Sequence, residues 1–178
     1  MITQDVRRYS DGNNIISLFR VILFHPGCRF MVLHRSCNRF SGYHPFGVVA
    51  RLWHRHLRVK FGFQIPHKTQ IGQGLFLGHF GGIVINQNVQ VGRNCNIAQG
   101  VTIGQVNRGQ KPGSPKIGNR VWIGANAVVV GNIEVGDDVL IAPLSYVNFD
   151  VPARSVVMGN PGQIISDKGS DGYINDIT

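Results

Sequence analysis

The feature that most constrains this chain is an aliphatic residue that recurs every six positions between residues 65 and 147, with two breaks. Fourteen repeats carry Ile, Leu or Val at this position, and in seven of them glycine follows directly. Ordinary amphipathic strands also fit a period of six, but they do not explain so long a series of aliphatic–glycine pairs. The pattern is typical of a solenoid in which each hexapeptide supplies one short strand. The fourteen positions are Ile65, Ile71, Leu77, Ile83, Ile85, Val91, Ile97, Ile103, Ile117, Ile123, Val129, Val135, Ile141 and Val147.

The two breaks in the repeat mark places where the solenoid is interrupted. A shift of two residues separates Ile83 from Ile85, immediately after His79. The spacing from Ile103 to Ile117 is 14 residues, so about eight residues are extra there. This stretch is polar and rich in glycine and proline, and we expect residues 105–116 to leave the solenoid as a loop. Loops on a rigid scaffold are common binding sites.

Charge and glycine divide the chain into two regions. Residues 1–70 contain 11 Lys and Arg against two acidic residues, whereas residues 71–178 contain seven of each sign. Glycine follows the opposite trend, with 5 in residues 1–64 and 18 in residues 65–178. We therefore predict a helical cap over residues 1–62, a β-helix over 63–165 and a polar, partly disordered tail over 166–178.

Three helices are predicted in the cap. Asn13 or Asn14 is expected to cap a helix that passes through Ile16, Phe19 and Leu23 and ends before residue 26. A second covers residues 28–39. A third, over residues 47–60, has an apolar face opposite a row of arginines. That apolar face consists of Val49, Leu52, Trp53 and Leu57.

The basic character of the cap is compatible with three kinds of contact. A solvated face combined with a trimer contact is the favoured interpretation, ahead of peripheral contact with an anionic membrane. No nucleic-acid motif is visible, so no nucleic-acid partner is expected. The apolar run at residues 15–24 is too short to span a bilayer, and the three cysteines match no ligand spacing. A cytoplasmic protein with reduced thiols, at most peripheral at the membrane, is expected.

The segment from Leu77 to Ile85, Leu-Gly-His-Phe-Gly-Gly-Ile-Val-Ile, resembles the catalytic coil of the serine acetyltransferase family. The resemblance extends from the helical region through Ile-Gly-Gln-Gly at residues 71–74 to Gly-Asn-Pro-Gly at residues 159–162. It implies a left-handed parallel β-helix with triangular coils of three hexapeptides, about five coils in all. It also implies a homotrimer, with active sites between neighbouring coils, and acetyl transfer from acetyl-CoA to a hydroxyl.

By this resemblance His79 is the general base that removes the hydroxyl proton. The residues support the same role, because imidazole titrates near neutral pH and His79 is the only histidine after residue 70. In the family a carboxylate near the start of the first coil commonly holds the histidine. The matching residue here is Gln64, which can orient an imidazole by hydrogen bonding but cannot stabilise an imidazolium by charge.

The resemblance also locates the acceptor site, and there the chain departs from the serine-specific pattern. Serine-specific members carry an acidic residue just before the histidine and Asp-Arg-His before Pro-Lys-Ile. The matching residues are Gly78 and the Pro-Gly-Ser stretch that ends in Gly113 and Ser114. Because these charges are missing, we expect a neutral acceptor, namely a sugar of a capsular or extracellular polysaccharide. Serine O-acetylation for cysteine biosynthesis is the alternative.

The donor site implied by the resemblance follows the later coils. Lys116 is a candidate contact for the phosphates of CoA, whereas packing at a subunit boundary is an equal alternative for Trp122. The predicted donor-site residues are Gly104, Lys116, Trp122, Ala125, Pro143 and Asn160.

Two other function classes fit the residues less well. A zinc-dependent carbonic anhydrase on the same scaffold needs about three histidines on the coils, and only His79 is there, so no metal is expected. A β-helix that binds ice or carbohydrate without catalysis needs a flat array of repeated Thr or aromatic residues, which the outward positions lack.

Overall fold

A computed structural model describes residues 2–10, 14–40 and 43–174, which begin with four helices. These are α1 (Ile2–Arg7), α2 (Ile15–Phe24), α3 (Pro26–Arg39) and α4 (Pro45–Phe61). The last three match the helices predicted from the sequence, and α1 was not predicted. The side chain of Asn14 caps α2 by accepting a hydrogen bond from the Ser17 amide at 2.7 Å. Gly62 ends α4 in the left-handed conformation, with φ of 68°.

The rest of the chain winds into five triangular coils whose strands form three faces. Face A contains β1 (Phe63–Gln64), β3 (Ile83–Ile85), β6 (Thr102–Gly104), β9 (Val128–Val130) and β12 (Tyr146–Val147). Face B contains β2 (Gln70–Ile71), β4 (Gln90–Val91), β7 (Lys116–Ile117) and β10 (Glu134–Val135). Face C contains β5 (Asn96–Ile97), β8 (Trp122–Ile123), β11 (Leu140–Ile141), β13 (Val156–Met158) and β14 (Gln163–Ser166). The pairings between successive coils are parallel, and the terminal strand β14 runs antiparallel to β13.

The aliphatic repeat forms the core, as the sequence predicts. Each of the fourteen repeat positions is at most 7% exposed. They belong to one hydrophobic cluster that continues into the helical cap through Phe30, Met31 and Leu57. The cap therefore covers the first coil, whose strand edges and apolar interior would otherwise face water.

The corner between faces C and A depends on residues that tolerate the left-handed backbone conformation. Gly82, Gly100, Asn126 and Leu144 occupy successive turns of this corner, with φ between 59° and 71°. A side chain at Gly100 would place its Cβ 2.0 Å from Oδ1 of Asn126, so this turn requires glycine for space as well as for φ. Leu144 and Asn126 adopt the same conformation at a steric cost.

A buried ion pair fastens α1 to the first coil. Asp5 is fully buried, and its carboxylate accepts a hydrogen bond from Nε of Arg35 at 2.8 Å. The same carboxylate accepts the Gly74 amide at 2.7 Å, while Arg35 donates to the Ile71 carbonyl at 2.5 Å. Each charge thus has a partner and further hydrogen bonds, which burial of an ion pair requires.

The apolar face predicted for α4 is mostly exposed, and so are the apolar residues named for α2. In α4 the buried face consists of Gly47, Ala50, His54 and Leu57, so only Leu57 of the predicted apolar face is buried. Val49, Leu52 and Trp53 are 51%, 63% and 57% exposed, and Ile16, Phe19 and Leu23 of α2 are 77%, 65% and 50% exposed. The small residues of α4 allow close approach to α3, and this packing overrides the hydrophobic pattern.

The bent pair formed by α2 and α3 is notable for its composition. Within the described ranges, no single helix has the length and hydropathy to cross a membrane, but α2 and α3 pass that test together. They meet at an angle of 97°. Seven residues of α3 are buried, including Phe30 and Met31, so α3 belongs to the protein core.

The described part of the C-terminal tail, residues 167–174, packs against the coils, and the partial disorder expected for the tail stays a prediction. Ser170 is 4% exposed and donates from Oγ to the Arg120 carbonyl at 2.7 Å. The Tyr173 ring lies 5.0 Å from the Trp122 ring, and the Tyr173 carbonyl accepts from Nδ2 of Asn96 at 3.1 Å. Residues 175–178 lie outside the described part of the chain.

Three histidines meet where the cap joins the first coil. The rings of His34 and His54 are 5.6 Å apart, and those of His54 and His67 are 6.4 Å apart. Burial lowers the pKa of His34 to about 3 and that of His54 to about 4, and it also lowers the pKa of His67. The folded protein therefore holds His34 and His54 in the neutral form at neutral pH.

These shifts predict that the free energy of unfolding falls with acidification. Unfolding returns each histidine to its ordinary pKa near 6.5, so stability is fully present above that pH and is lost as pH falls toward the folded-state values. His34→Leu should flatten the decline by about 1.4 kcal/mol per pH unit between about pH 6 and pH 4. Urea unfolding across this range measures the slope. His56→Leu, at an exposed position of α4, should leave it unchanged. An equal slope in His34→Leu and the native protein would contradict the prediction.

Candidate active site

His79 lies at the corner between faces C and A, where the first coil passes into the second. Phe76 bridges to Asn96 on face C before this turn, and β3 on face A begins four residues after the histidine. The turn is held on both sides, since the Gly81 amide donates to the Phe61 carbonyl at 2.9 Å and the Gly81 carbonyl accepts the Gly100 amide at 3.0 Å. His79 itself is exposed. Within the described residues its imidazole has no hydrogen-bond partner, so both ring nitrogens are accessible to a substrate.

Gln64 lies on face A, where β1 pairs with β3 through Gln64 and Val84. Its side chain is exposed, and the hydrogen bonds of the described residues do not join it to His79. No carboxylate of the neighbouring coils takes its place, because the sequence has no Asp or Glu between residues 12 and 133. An acidic partner for this imidazole must therefore come from a distant part of the fold or from another molecule.

Three of the predicted donor-site residues share the edge of the prism on which His79 lies. Ala125 and Pro143 occupy the equivalent turns of later coils, and backbone hydrogen bonds connect these turns along the edge. One of these bonds joins the Leu144 amide to the Ala125 carbonyl at 2.9 Å. Asn160 follows at the last turn, and both Pro143 and Asn160 are exposed. The edge thus offers a series of exposed backbone turns, with Ala125, Pro143 and Asn160 along it.

The other predicted donor-site residues lie elsewhere on the prism. Gly104 ends β6 at the opposite edge of face A, and Trp122 packs against Tyr173 on face C. Lys116 lies on face B, where its Nζ is 3.0 Å from a carboxylate oxygen of Glu134, with both side chains more than half exposed. Within one chain, the structure does not bring Lys116 to the His79 corner, whereas the Trp122 ring lies beside Gly124, next to the Ala125 turn of the same edge.

The predicted loop between the third-coil strands is present, and it has a defined structure. Val106 and Gly113 form an antiparallel bridge with hydrogen bonds of 2.9 and 2.8 Å, so the excursion is a short hairpin. Its returning arm is fixed to later coils, because the Lys111 carbonyl accepts the Asn132 amide and Nζ of Lys111 pairs with Asp150. The hydrogen bond from Lys111 lowers the pKa of Asp150.

The predicted acceptor residues lie at the base of the hairpin. Near its tip lies a cationic residue that the sequence analysis did not name. Gly113 packs against Asn132 at the base of the hairpin, and Oγ of Ser114 is buried there without a protein partner. Arg108 stands near the tip and is exposed. It has no ion-pair or hydrogen-bond partner among the described residues. The sequence offered one signal for this residue, namely a cationic side chain in an inserted loop. Lys111 shares that signal, and only the hairpin geometry shows that Arg108 is unpaired within the described ranges while Lys111 pairs with Asp150.

A neighbouring aromatic ring leaves no room for a side chain at Gly78. A Cβ at this position would lie 2.8 Å from Cε1 of Phe76, whose ring is 4.6 Å from that of Tyr9. An acidic residue just before His79 would therefore require this aromatic pair to shift. The packing of Phe76 and Tyr9 is therefore consistent with glycine, rather than an acidic residue, at position 78.

A large groove lies away from this corner. It measures about 900 Å³ and runs between α3 and face B, with His34, Arg35, Lys68 and Lys116 among its lining residues. His79 does not line it. The candidate site is therefore identified by the exposed imidazole of His79 and not by the volume of a groove. Across the described ranges, no group of three or more His, Cys, Asp or Glu side chains is placed to hold a metal ion.

Comparison with known proteins places this arrangement in a family. Residues 114–148 match the family "Bacterial transferase hexapeptide (six repeats)". A serine acetyltransferase of Helicobacter pylori is 33% identical over 148 residues, which cover 83% of this chain and 86% of the relative. This chain belongs to the serine acetyltransferase family. A serine acetyltransferase of Synechococcus elongatus is 36% identical over 149 residues, 84% of this chain, although the match spans only 61% of that relative.

Solved structures of the serine acetyltransferase family agree with the fold. Neisseria gonorrhoeae serine acetyltransferase in complex with serine superimposes with a TM-score of 0.75 and 30% identity, covering 93% of this chain and 67% of that one. The soybean apoenzyme gives a TM-score of 0.72 at 26% identity, covering 92% and 67%. The left-handed parallel β-helix predicted for this chain is confirmed. These relatives do not support the polysaccharide branch of the predicted resemblance.

Proposed function

We propose that this serine acetyltransferase family member transfers an acetyl group from acetyl-CoA to a hydroxyl, with His79 as the general base. The observation that carries the proposal is the exposed imidazole of His79 at a glycine-lined turn. The histidine is free of intramolecular hydrogen bonds among the described residues, and the flanking glycines leave room for two substrates to approach.

The proposed reaction needs one proton transfer in each direction. A ring nitrogen of His79 accepts the hydroxyl proton as the hydroxyl oxygen attacks the thioester carbonyl. The resulting tetrahedral oxyanion is stabilised by backbone amides near the corner. Collapse of this intermediate breaks the C–S bond, and the imidazolium returns its proton to the departing CoA thiolate. The products are the acetyl ester and free CoA, and the imidazole is regenerated.

A shared site between copies of the chain accounts for the positions of the predicted residues. The His79 corner and the 105–116 hairpin lie on opposite edges of face A, so one chain does not bring them together. In a trimer of parallel prisms, one edge of each copy can face the other edge of its neighbour. We therefore propose a homotrimer, which would also allow an acidic group from a neighbouring copy to support His79.

Serine is the first candidate acceptor, because the family relatives are serine acetyltransferases. Serine carries a carboxylate that an acceptor site must neutralise. We propose that Arg108 at the hairpin tip binds this carboxylate and replaces the arginine missing from residues 112–114.

A neutral sugar hydroxyl is the second candidate, favoured by the chemistry of the acceptor positions. Gly78 and Gly113 carry no charge, and Ser114 is buried at the base of the hairpin. The packing of Phe76 against the Gly78 position excludes an acidic side chain without rearrangement. Such a site provides no charged groups to bind an amino acid zwitterion, so it suits a neutral polyol better.

His79→Ala should lower the rate of acetyl transfer by about 10²–10⁴, because it removes the base while leaving both substrates room to bind. Release of CoA thiol measures the rate, and circular dichroism verifies that the variant is folded. His56→Ala, at an exposed helical position, is the matched control and should retain full activity. Unchanged activity in His79→Ala would remove this residue from the mechanism.

The acceptor class is decided by comparing thiol release with L-serine and with neutral hexoses or oligosaccharides. Rapid release with L-serine and background release with the sugars is expected if serine is the acceptor. The reverse result would establish the neutral acceptor. Mass spectrometry of the acetylated product distinguishes transfer from simple hydrolysis of acetyl-CoA.

Arg108→Ala should raise the KM for serine about ten- to a hundredfold with little change in kcat, because the lost contact is worth about 1.5–3 kcal/mol. Arg93→Ala removes another exposed arginine, from a different edge of the prism, and should leave the KM unchanged. An unchanged KM in Arg108→Ala would exclude this role. Mixed trimers of the His79→Ala and Arg108→Ala proteins should recover native-like sites if two copies share each site.

A further inference from the structure

An extensive apolar surface is left uncovered on the helical cap. We call it the cap surface and define it by outward-facing residues of α2 and α4, which are 50–82% exposed. Soluble proteins rarely expose so many large apolar side chains together, and such patches mark contact with a protein or a membrane. The residues are Ile16, Phe19 and Leu23 of α2 and Val49, Leu52, Trp53 and Val59 of α4.

Arg29 of α3 lies between the C-terminal ends of the two helices that form the cap surface. The Arg29 guanidinium donates hydrogen bonds to the carbonyls of Ile22 and Leu23 in α2. The same guanidinium lies 5.9 Å from the ring centroid of Phe61, the last residue of α4. A single side chain of α3 therefore connects the two apolar helices.

The charges on helices α2, α3 and α4 have one sign. Helices α2, α3 and α4 contain eight Lys and Arg and no acidic residue, and no Asp or Glu occurs between residues 12 and 133. Arg20 lies within α2, and Arg55 and Lys60 are exposed on α4. An apolar helix face bordered by cations is the composition of helices that lie in the interface of an anionic bilayer.

A two-fold contact of this surface with itself fits poorly. A two-fold contact would press the same cationic surfaces together, with no carboxylate in these helices to pair with them. A nucleic acid would satisfy the cations but would leave the apolar side chains between them without a partner. An anionic bilayer satisfies both properties at once, since its headgroups bind the cations and its acyl region accepts the apolar side chains.

We propose that the cap surface docks the protein on an anionic lipid bilayer, with α2 and α4 lying in the headgroup region. The helices lie on the membrane and do not cross it, because α2 has only 10 residues and α3, which follows at 97°, is part of the protein core. The docking does not depend on the proposed acetyl transfer.

Docking would bring the His79 corner near the lipid surface. The Phe61 ring at the end of α4 lies 6.1 Å from the Phe80 ring, and Phe80 is 63% exposed beside His79. Aromatic side chains thus continue from the cap surface to the candidate site. A membrane-bound form of the protein would present its base close to acceptors that are held at the bilayer.

The test is flotation of the purified full chain with vesicles. Binding is expected to vesicles of phosphatidylcholine with about 30% phosphatidylglycerol and not to phosphatidylcholine alone. Raising the salt from about 0.1 to 0.5 M should weaken it, because screening reduces the attraction between the cations and the headgroups. Trp53 fluorescence should shift to shorter wavelength on binding, and Trp53→Phe should lose this shift.

Paired substitutions test whether the cap surface is the part that binds. Phe19→Ser with Leu52→Ser should lower the vesicle affinity at least tenfold, since each apolar side chain contributes about 1.5 kcal/mol or more when buried. Ile165→Ser is the matched control, because Ile165 is 54% exposed on β14 at the far end of the prism, and it should bind as the native protein does. Thermal melting verifies that all three proteins are folded.

Three results would overturn the proposal. The first is the absence of flotation with the anionic vesicles at low salt by folded protein. The second is equal binding by the Phe19→Ser/Leu52→Ser protein and the native protein. The third is a smaller assembly of that double variant in sedimentation, without any native binding to vesicles, which would assign the cap surface to contact between copies.

Discussion

The column of aliphatic side chains inside the coils is the interaction on which the rest of the structure depends. Each hexapeptide contributes one side chain to it, and the fourteen repeat positions are almost completely buried. The strands are only two to four residues long and would not persist alone, so the stacking of coils stabilises every one of them. The corners that carry His79 and the hairpin are rigid because this column fixes the register of the coils beneath them.

The fold was largely predictable because a period of six residues has few structural solutions. The coils, the hairpin insertion and the cap helices all follow from local patterns of aliphatic, glycine and capping residues. The orientation of the cap helices did not follow. The hydrophobic pattern grouped Leu52 and Trp53 with Leu57 on one face of α4, whereas small residues and His54 share the buried face with Leu57. Packing distance between helices decided this, and a hydrophobic pattern does not encode it.

The candidate site was predictable only in part. The resemblance assigned His79, Ala125 and Pro143 to the site, and the coils bring the turns that contain them to one edge. Lys116 was also a predicted donor-site residue, and it lies on face B, away from this edge. Arg108 was not predicted as a site residue because it lies in a loop outside the repeat, and the six-residue period does not determine where a loop residue lies. The acceptor remains the part of the function that the scaffold determines least.

The hairpin is inserted at a corner of the third coil, and the coils before and after it keep their register. The turns at Gly82 and Gly100 and those at Asn126 and Leu144 are each 18 residues apart, while the turn that follows the hairpin comes 26 residues after Gly100. A coil therefore absorbs eight additional residues at a vertex without displacing any neighbouring strand. Evolution can lengthen or recompose that one vertex to admit a new acceptor while the opposite edge, with its histidine, keeps its geometry.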